Sequence, residues 1–257
     1  LLDTERADRL SAKLASQERW SDVRRLAELR DKSVSHDWLW ALNPAHGPII
    51  PPADFALCVR IRLGAFLTSD VTSCDRCGTR IVEQTAAHAL CCAALDGTRG
   101  HYAVRDAILP LVHLADPSAS TEVVELIPEA PALRPADILS DSALPGGQAA
   151  LDIGICSPDA AGAGVDCCAA MWSRKREHYA PYLHGMVQRG CHYVPLVFSC
   201  YGRVHNDAEV VLERIGQQGA RRLGLADYSV VLRRAHAGIG VAIWRRAANM
   251  ARACLAR

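Results

Sequence analysis

The sequence predicts an α/β (α+β) fold, a small mixed sheet flanked by helices, preceded by a helical segment and a short stretch rich in Cys and His. Three observations carry this. Apolar runs of strand length, Ala150 to Cys156 and Tyr193 to Cys200, alternate along the chain with segments of helical periodicity. Pro145-Gly146-Gly147 supplies a tight turn, so the strand before it folds back as a hairpin. With 257 residues, half of them hydrophobic, the chain can bury at least one proper core.

In order, residues 3 to 32 alternate charges with Leu10, Leu14, Val23, Leu26 and Leu29, the pattern of one or two amphipathic helices that pack or link. Trp38 and Trp40 are expected in a core rather than as base-stacking platforms. Pro44 through Pro52 is a proline-rich break, and Ala53 to Leu67 reads as a helix with Arg60 and Arg62 among apolar residues. Tyr102 to Leu114 reads as an apolar helix, Glu122 to Ile127 as a strand, and the hairpin around Pro145 follows. A long helix from about Ala169 to Arg189, a buried strand from Tyr193 to Cys200, a helix from Asp207 to Gln217 and a last helix from Ala235 to Leu255 complete the chain. This gives four regions: a helical linker at 1–70, the Cys/His segment at 71–102, the sheet domain at 103–234 and a basic helix at 235–257. There is no internal repeat and no low-complexity stretch.

The formal net charge of +1 hides a local asymmetry. After Glu213 come Arg214, Arg221, Arg222, Arg233, Arg234, Arg245, Arg246, Arg252 and Arg257 against one acid, Asp227, a stripe of the kind a phosphate backbone attracts. Helices also carry arginines merely for solubility. Eleven cysteines, with adjacent pairs at Cys91-Cys92 and Cys167-Cys168, suit a disulfide framework poorly and point to a reducing compartment. No stretch is long and apolar enough to span a bilayer, and no basic-then-apolar leader opens the chain, so a soluble intracellular protein without a membrane partner is expected. The chain begins at Leu1 and has no Asp-Asp pair of the kind a polymerase site needs; the expectation is the tail of a longer polyprotein.

Asp152 lies inside the apolar run Ala150-Leu151-Asp152-Ile153-Gly154-Ile155-Cys156. Stripping water from that carboxylate costs several kcal/mol unless a partner or metal compensates. On a strand, Leu151, Ile153 and Ile155 share the core face, while Asp152, Gly154 and Cys156 share the other. Asp137 follows Arg134-Pro135-Ala136, where the proline disfavours helix, and the hairpin can bring the two acids together. Two carboxylates in a poorly solvated cleft repel, and a hard cation such as Mg²⁺ relieves the repulsion and can activate water against a phosphodiester. The plainer alternative has Asp137 closing a turn and Asp152 paired with an arginine. Helical spacing puts Lys175, His178, Tyr179 and Tyr182 on one stripe that can face the acids, with the Lys175 amine orienting a water and His178 near phosphate. A solvated basic face is the alternative for this run.

Cys74-Asp75-Arg76-Cys77-Gly78 is a tight turn whose thiolates converge, and His88 with Cys92 one helical turn on completes a tetrahedral N/S set suited to Zn²⁺. Cys91 can replace Cys92 in that set. Buried free thiols with a surface histidine are the alternative, whereas a structural zinc would fold a segment too small to hold itself together.

The order Arg-Pro-(Ala)-Asp, an aspartate in an apolar strand, then Lys-x-x-His-Tyr resembles the restriction-like endonuclease domain of non-LTR retrotransposon polyproteins, within the PD-(D/E)xK superfamily. In those elements the domain follows the reverse transcriptase and a Cys-Cys-His-Cys zinc knuckle, and Cys74, Cys77, His88 and Cys92 occupy that place. The resemblance covers roughly residues 36–250. It implies a restriction-endonuclease-like core and a Mg²⁺-dependent DNA endonuclease that nicks target DNA to prime reverse transcription. Asp137 and Asp152 would bind the metal, Lys175 would support the attacking water, and Arg134 and His178 would contact phosphate. The implied partners are DNA, RNA and the rest of the polyprotein, and the implied location is the nucleus. The superfamily's lysine usually lies two residues after the second acid, where this chain has Gly154, so the amine comes from Lys175 instead. His101 matches a histidine that the family places a little beyond the knuckle. Three residues separate His88 from Cys92 where the family more often has four, and an extra alanine precedes Asp137. A non-enzymatic zinc-dependent nucleic-acid-binding domain and a thiol-rich redox or structural protein are the competing readings.

Overall fold

The computed structural model describes residues 4–41, 48–68, 72–81, 84–95 and 97–255. Leu1, Arg257 and residues 44–47 of the proline-rich break lie outside them. In chain order the helices and strands are α1 (Thr4–Ser16), α2 (Trp20–Arg30), α3 (Pro52–Leu63), β1 (Thr72–Ser73), β2 (Arg80–Ile81), α4 (Ala87–Cys91), α5 (Gly97–Ala115), β3 (Ser120–Thr121), β4 (Ile138–Ser140), β5 (Gln148–Cys156), α6 (Cys167–Gln188), β6 (Cys191–Ser199), α7 (Asn206–Arg222) and α8 (Ser229–Leu255). A short 3₁₀ turn, Asp37–Trp40, precedes α3.

The larger sheet is mixed, in the order β3-β4-β5-β6. The Pro145-Gly146-Gly147 turn makes β4 and β5 an antiparallel hairpin, and α6 crosses over to deliver β6 parallel to β5. Alternation along the strands sorts side chains between two helical layers. Leu151 and Ile153 of β5 and Leu196 and Phe198 of β6 pack with Val104, Ile108 and Val112 of α5, Leu212 and Ile215 of α7 and Ile239 and Ile243 of α8. The opposite face, with Ala150, Tyr193 and Val197, lies under α6. Pro195 is accommodated because β6 is an edge strand in the sheet order. Asp166 starts α6 by accepting a hydrogen bond from the Ala169 N–H at 3.0 Å.

A second core joins the N-terminal region, the Cys/His segment and the last helix. Trp38, Ile50, Cys58 and Ile61 meet Cys74, Leu90 and Cys92 around Trp244, whose ring stacks on Trp38 at 4.7 Å. Among the described residues no helix is long and apolar enough to cross a membrane.

Four sequence expectations need correction. The strand over Glu122 to Ile127 does not form: Glu122 (φ 57°) and Glu125 (φ 64°) adopt left-handed backbone, which breaks the ladder after Thr121. The chain there is irregular and buries Ile127 beneath α6. Trp40 is 78% exposed, because the 3₁₀ turn aims only Trp38 inward. The helix expected to reach Leu67 stops at Leu63, where Gly64 takes the left-handed conformation that caps it. Among the described arginines of α7 and α8, Arg246 does not join the exposed run. Arg252 is paired with Asp54, and Arg246 lies folded against Gly100 with a guanidinium whose pKa burial pulls down.

Asp116 fixes the start of the sheet to the end of α5. One carboxylate oxygen accepts from the Ser118 N–H (3.1 Å) and hydroxyl (2.6 Å), the other from the Ser140 hydroxyl (2.6 Å) and the N–H groups of Asp141 (2.7 Å) and Ser142 (3.1 Å). Burial alone would raise this carboxyl, but those donors hold it far below its ordinary value of 3.8. A depressed folded value means the contribution is present above the unfolded pKa and lost as pH falls toward the folded one. We therefore expect Asp116→Asn to lower stability at neutral pH by about 1–3 kcal/mol. Its urea midpoint should also change less than that of the wild type between about pH 4 and pH 2.

Candidate active site and metal-binding cluster

The hairpin register places the acids. Ile138, the first residue of β4, pairs with Leu151, and the Asp137 N–H just before it donates to the Leu151 carbonyl at 2.8 Å, which holds Asp137 beside the Leu151–Ile153 stretch of β5. The two acids come near enough for the Asp137 charge to act on Asp152. One Asp137 oxygen accepts from the Ile153 N–H at 2.6 Å, and the other meets His101 Nε2 of α5 at 2.9 Å. Asp152 accepts from Lys175 Nζ at 2.6 Å and, with its second oxygen, from the Tyr193 hydroxyl.

Electrostatics separate the two acids. Burial pushes the Asp152 carboxyl up, reinforced by Asp137 and opposed by Lys175 and Tyr193. Burial acts the same way on Asp137, but the His101 hydrogen bond and charge, the Ile153 N–H and Lys175 bring it below the ordinary range. Burial and the two nearby carboxylates raise the Tyr179 hydroxyl to about 12 and the Tyr193 hydroxyl further. Both tyrosines therefore act as hydrogen-bond donors at neutral pH.

Gly154 explains where the amine comes from. A Cβ at this position would lie 2.6 Å from Lys175 Cε, so the position two residues after Asp152 must stay bare for the lysine of α6 to enter. Tyr179, one turn beyond Lys175, donates its hydroxyl to the Arg134 carbonyl at 3.0 Å and ties the loop before Asp137 to the same helix. The Arg134 guanidinium is 62% exposed, 3.5 Å from Glu122, and His178 is exposed with its ring edge on Tyr179. Both stand at the rim.

Sequence reasoning left the role of His101 open and did not single out Tyr193. The alternation of β6 does put Tyr193 on the α6 face, so its proximity to Asp152 could have been inferred once β5 and β6 were paired. His101 comes from a separate helix and left no such signal.

The Cys/His segment brings four donors together. Sγ of Cys74, Cys77 and Cys92 and a ring nitrogen of His88 lie within 4.8 Å of one another, a set that could hold a metal ion and is compatible with zinc. β1 and β2 form the stem of the turn, with Cys74 N–H to Thr79 carbonyl at 2.9 Å and Gly78 N–H to Cys74 carbonyl at 2.8 Å. Burial would raise the Cys74 thiol, but the N–H groups of Arg76 and Cys77, with Cys254 and His88, bring it down to about 6. Cys92 follows the last residue of α4 in extended backbone and turns inward 3.9 Å from Cys74. Cys91 hydrogen-bonds the His88 carbonyl at 3.4 Å and is not part of the group. The structure thus selects Cys92 over Cys91. The end of α8 closes the turn, as the Cys254 carbonyl accepts from the Asp75 N–H at 3.2 Å.

Comparison of the chain with protein-family models, with curated proteins and with solved structures finds no match.

Two outcomes test this geometry. Gly154→Ala should fold but push the Lys175 amine away from Asp152, and an NMR titration should show the Asp152 carboxyl pKa raised above that of the wild type. Cys92→Ser should lower the bound zinc by one equivalent in elemental analysis, whereas Cys91→Ser should leave it unchanged.

Proposed function

We propose that the chain is a metal-dependent DNA endonuclease module of a retrotransposon polyprotein, nicking target DNA so that the cut strand primes reverse transcription. The observation that carries the reading is that Lys175 of α6 bonds Asp152 while Asp137 lies within electrostatic reach of both. The donor set fits a hard cation: each carboxylate oxygen accepts one hydrogen bond from the protein and has capacity for another. Asp137 and Asp152 would hold Mg²⁺, which when bound supplies Lewis acidity toward the phosphodiester and a more acidic water.

The chain's own residues do the rest. Lys175, held by Asp152 against a half-buried wall, orients the attacking water and offsets charge that builds on the phosphate. His101 and the Ile153 N–H keep Asp137 ionised and hold its carboxylate beside β5. Tyr193 fixes Asp152, and Tyr179 fixes the Arg134 loop. Arg134 and His178, at the rim, are the phosphate contacts. Cys74, Cys77, His88 and Cys92 would hold a structural Zn²⁺ that folds the knuckle. A groove of about 910 Å³ between α5, α8 and the knuckle, bordered by Arg76, Arg245, Arg246 and Asn249, supports a path for DNA or RNA. Such a module works in the nucleus, beside the rest of its polyprotein.

One observation favours a second reading, a nucleic-acid-binding domain without catalysis. Both oxygens of Asp152 already have partners in Lys175 and Tyr193, an arrangement that is stable with no chemistry to perform.

Nicking of supercoiled plasmid with Mg²⁺ decides between them. Wild type should nick, and Asp137→Ala, Asp152→Ala and Lys175→Met should each lose about 10²-fold or more. Equal nicking by wild type and Asp152→Ala would remove the acids from the mechanism. No nicking by any of them, with DNA affinity that falls as salt rises, would establish the binding-only domain.

A further inference from the structure

The face of β5 that carries Asp152 and Gly154 ends in Cys156, and α6 begins above it with Cys167 and Cys168. The three Sγ atoms lie within 4.8 Å of one another, and Cys156 and Cys168 are 3.7 Å apart. All three are free thiols and none is more than 5% exposed. None belongs to the knuckle, and the site proposed for nicking does not use them.

A hydrogen-bonded pair accounts for two neighbouring thiols, not for three that all face one point. A cation that binds thiolates at ~2.3 Å sets the sulfurs roughly 4 Å apart, which is the spacing of this trio. The surroundings also suit thiolates. Cys167 and Cys168 occupy the first turn of a 22-residue helix, whose N–H groups favour negative charge. The Arg203 guanidinium, 3.7 Å from Cys167 Sγ, is anchored by Glu28 at 2.9 Å and Asp166 at 2.6 Å. Glu28 Oε1 is 3.6 Å from Cys167 Sγ, the oxygen donor nearest that ligand for a fourth position. The Cys156 thiol now donates to the Phe198 carbonyl at 3.4 Å, a weak bond that a metal–sulfur bond replaces.

We propose that Cys156, Cys167 and Cys168 form a second metal site that takes one thiophilic cation of the zinc class. Loading releases three protons, M²⁺ + 3 RSH → [M(SR)₃]⁻ + 3 H⁺, and needs no oxidant or reductant. The site clamps the end of β5 to the start of α6. From Cys156 back to Asp152 is four residues of strand, roughly 13 Å, and from Cys168 on to Lys175 is seven residues of helix, roughly 10 Å. The clamp joins the end of β5 to the start of α6, the Asp152–Lys175 pair joins the same two elements nearer their middles, and the metal fixes the register that delivers the lysine. This site stands whether or not the chain nicks DNA.

Elemental analysis of the whole chain purified under reducing conditions tests it. We expect two zinc per chain in the wild type. One should remain in Cys77→Ser/His88→Ala, which disables the knuckle, and none when Cys156→Ser is added. Because Cys156→Ser could unfold the chain, the knuckle-disabled variant is also refilled with Co²⁺: one cobalt per chain with thiolate-to-cobalt charge-transfer absorption is expected. One zinc in the wild type that vanishes entirely with the knuckle, or no cobalt band, overturns the proposal. So does recovery of Cys156 and Cys168 as a disulfide from the reducing preparation.

Discussion

The burial of two neighbouring carboxylates, Asp137 before β4 and Asp152 within β5, is the constraint to which the surrounding structure answers. Burial opposes the ionisation of both carboxyls, and the charge of Asp137 opposes that of Asp152 as well. Every neighbour is a donor or a cation: His101 from α5, the Ile153 N–H from β5, Lys175 from α6 and Tyr193 from β6. Four elements thus converge on one pair of side chains. The compensation is uneven, with Asp137 held low and Asp152 pushed up by burial. That imbalance marks Asp152 as the group whose charge an additional cation would stabilise most.

The bareness of Gly154 belongs to the same constraint. An amine on β5 two residues beyond Asp152 would occupy the same sheet face and reach the acid from its own strand. Placing it on α6 makes the site depend on how helix and strand are docked, and the docking surface must then be free of side chains where the lysine enters. Asp152–Lys175 is accordingly a tertiary contact that reports on the position of α6.

What the sequence made legible follows from which forces are local. Alternation through Leu151, Asp152, Ile153 and Gly154 is a property of the strand itself, and the face assignment it implies is the one observed. The Pro145-Gly146-Gly147 turn likewise identified the hairpin. Glu122 and Glu125 show the limit: Val123, Val124, Leu126 and Ile127 have strand composition, yet two left-handed residues and the burial of Ile127 under α6 decide otherwise. Trp38 and Trp40 are chemically alike, and only the sense of a 3₁₀ turn separates a stacked core ring from an exposed one. His101 reaches Asp137 because α5 packs on the sheet, a fact with no trace in its neighbours along the chain. Choosing Cys92 over Cys91 required knowing the residue at which α4 ends.

The two cysteine clusters stand differently toward the core. Cys74, Cys77, His88 and Cys92 lie around a turn held by β-strands of two residues each, elements too short to persist without cross-linking, so a metal there would act on whether the segment folds. The Cys156, Cys167 and Cys168 thiols are instead carried by a nine-residue strand and a 22-residue helix already packed through apolar side chains. A metal at that point adds little to the decision to fold; it acts on the relative position of two finished elements. Since Asp152 and Lys175 belong to those same elements, small slips of helix on strand change the ion pair before they change the core, and the thiol trio is the feature of the fold best placed to prevent them.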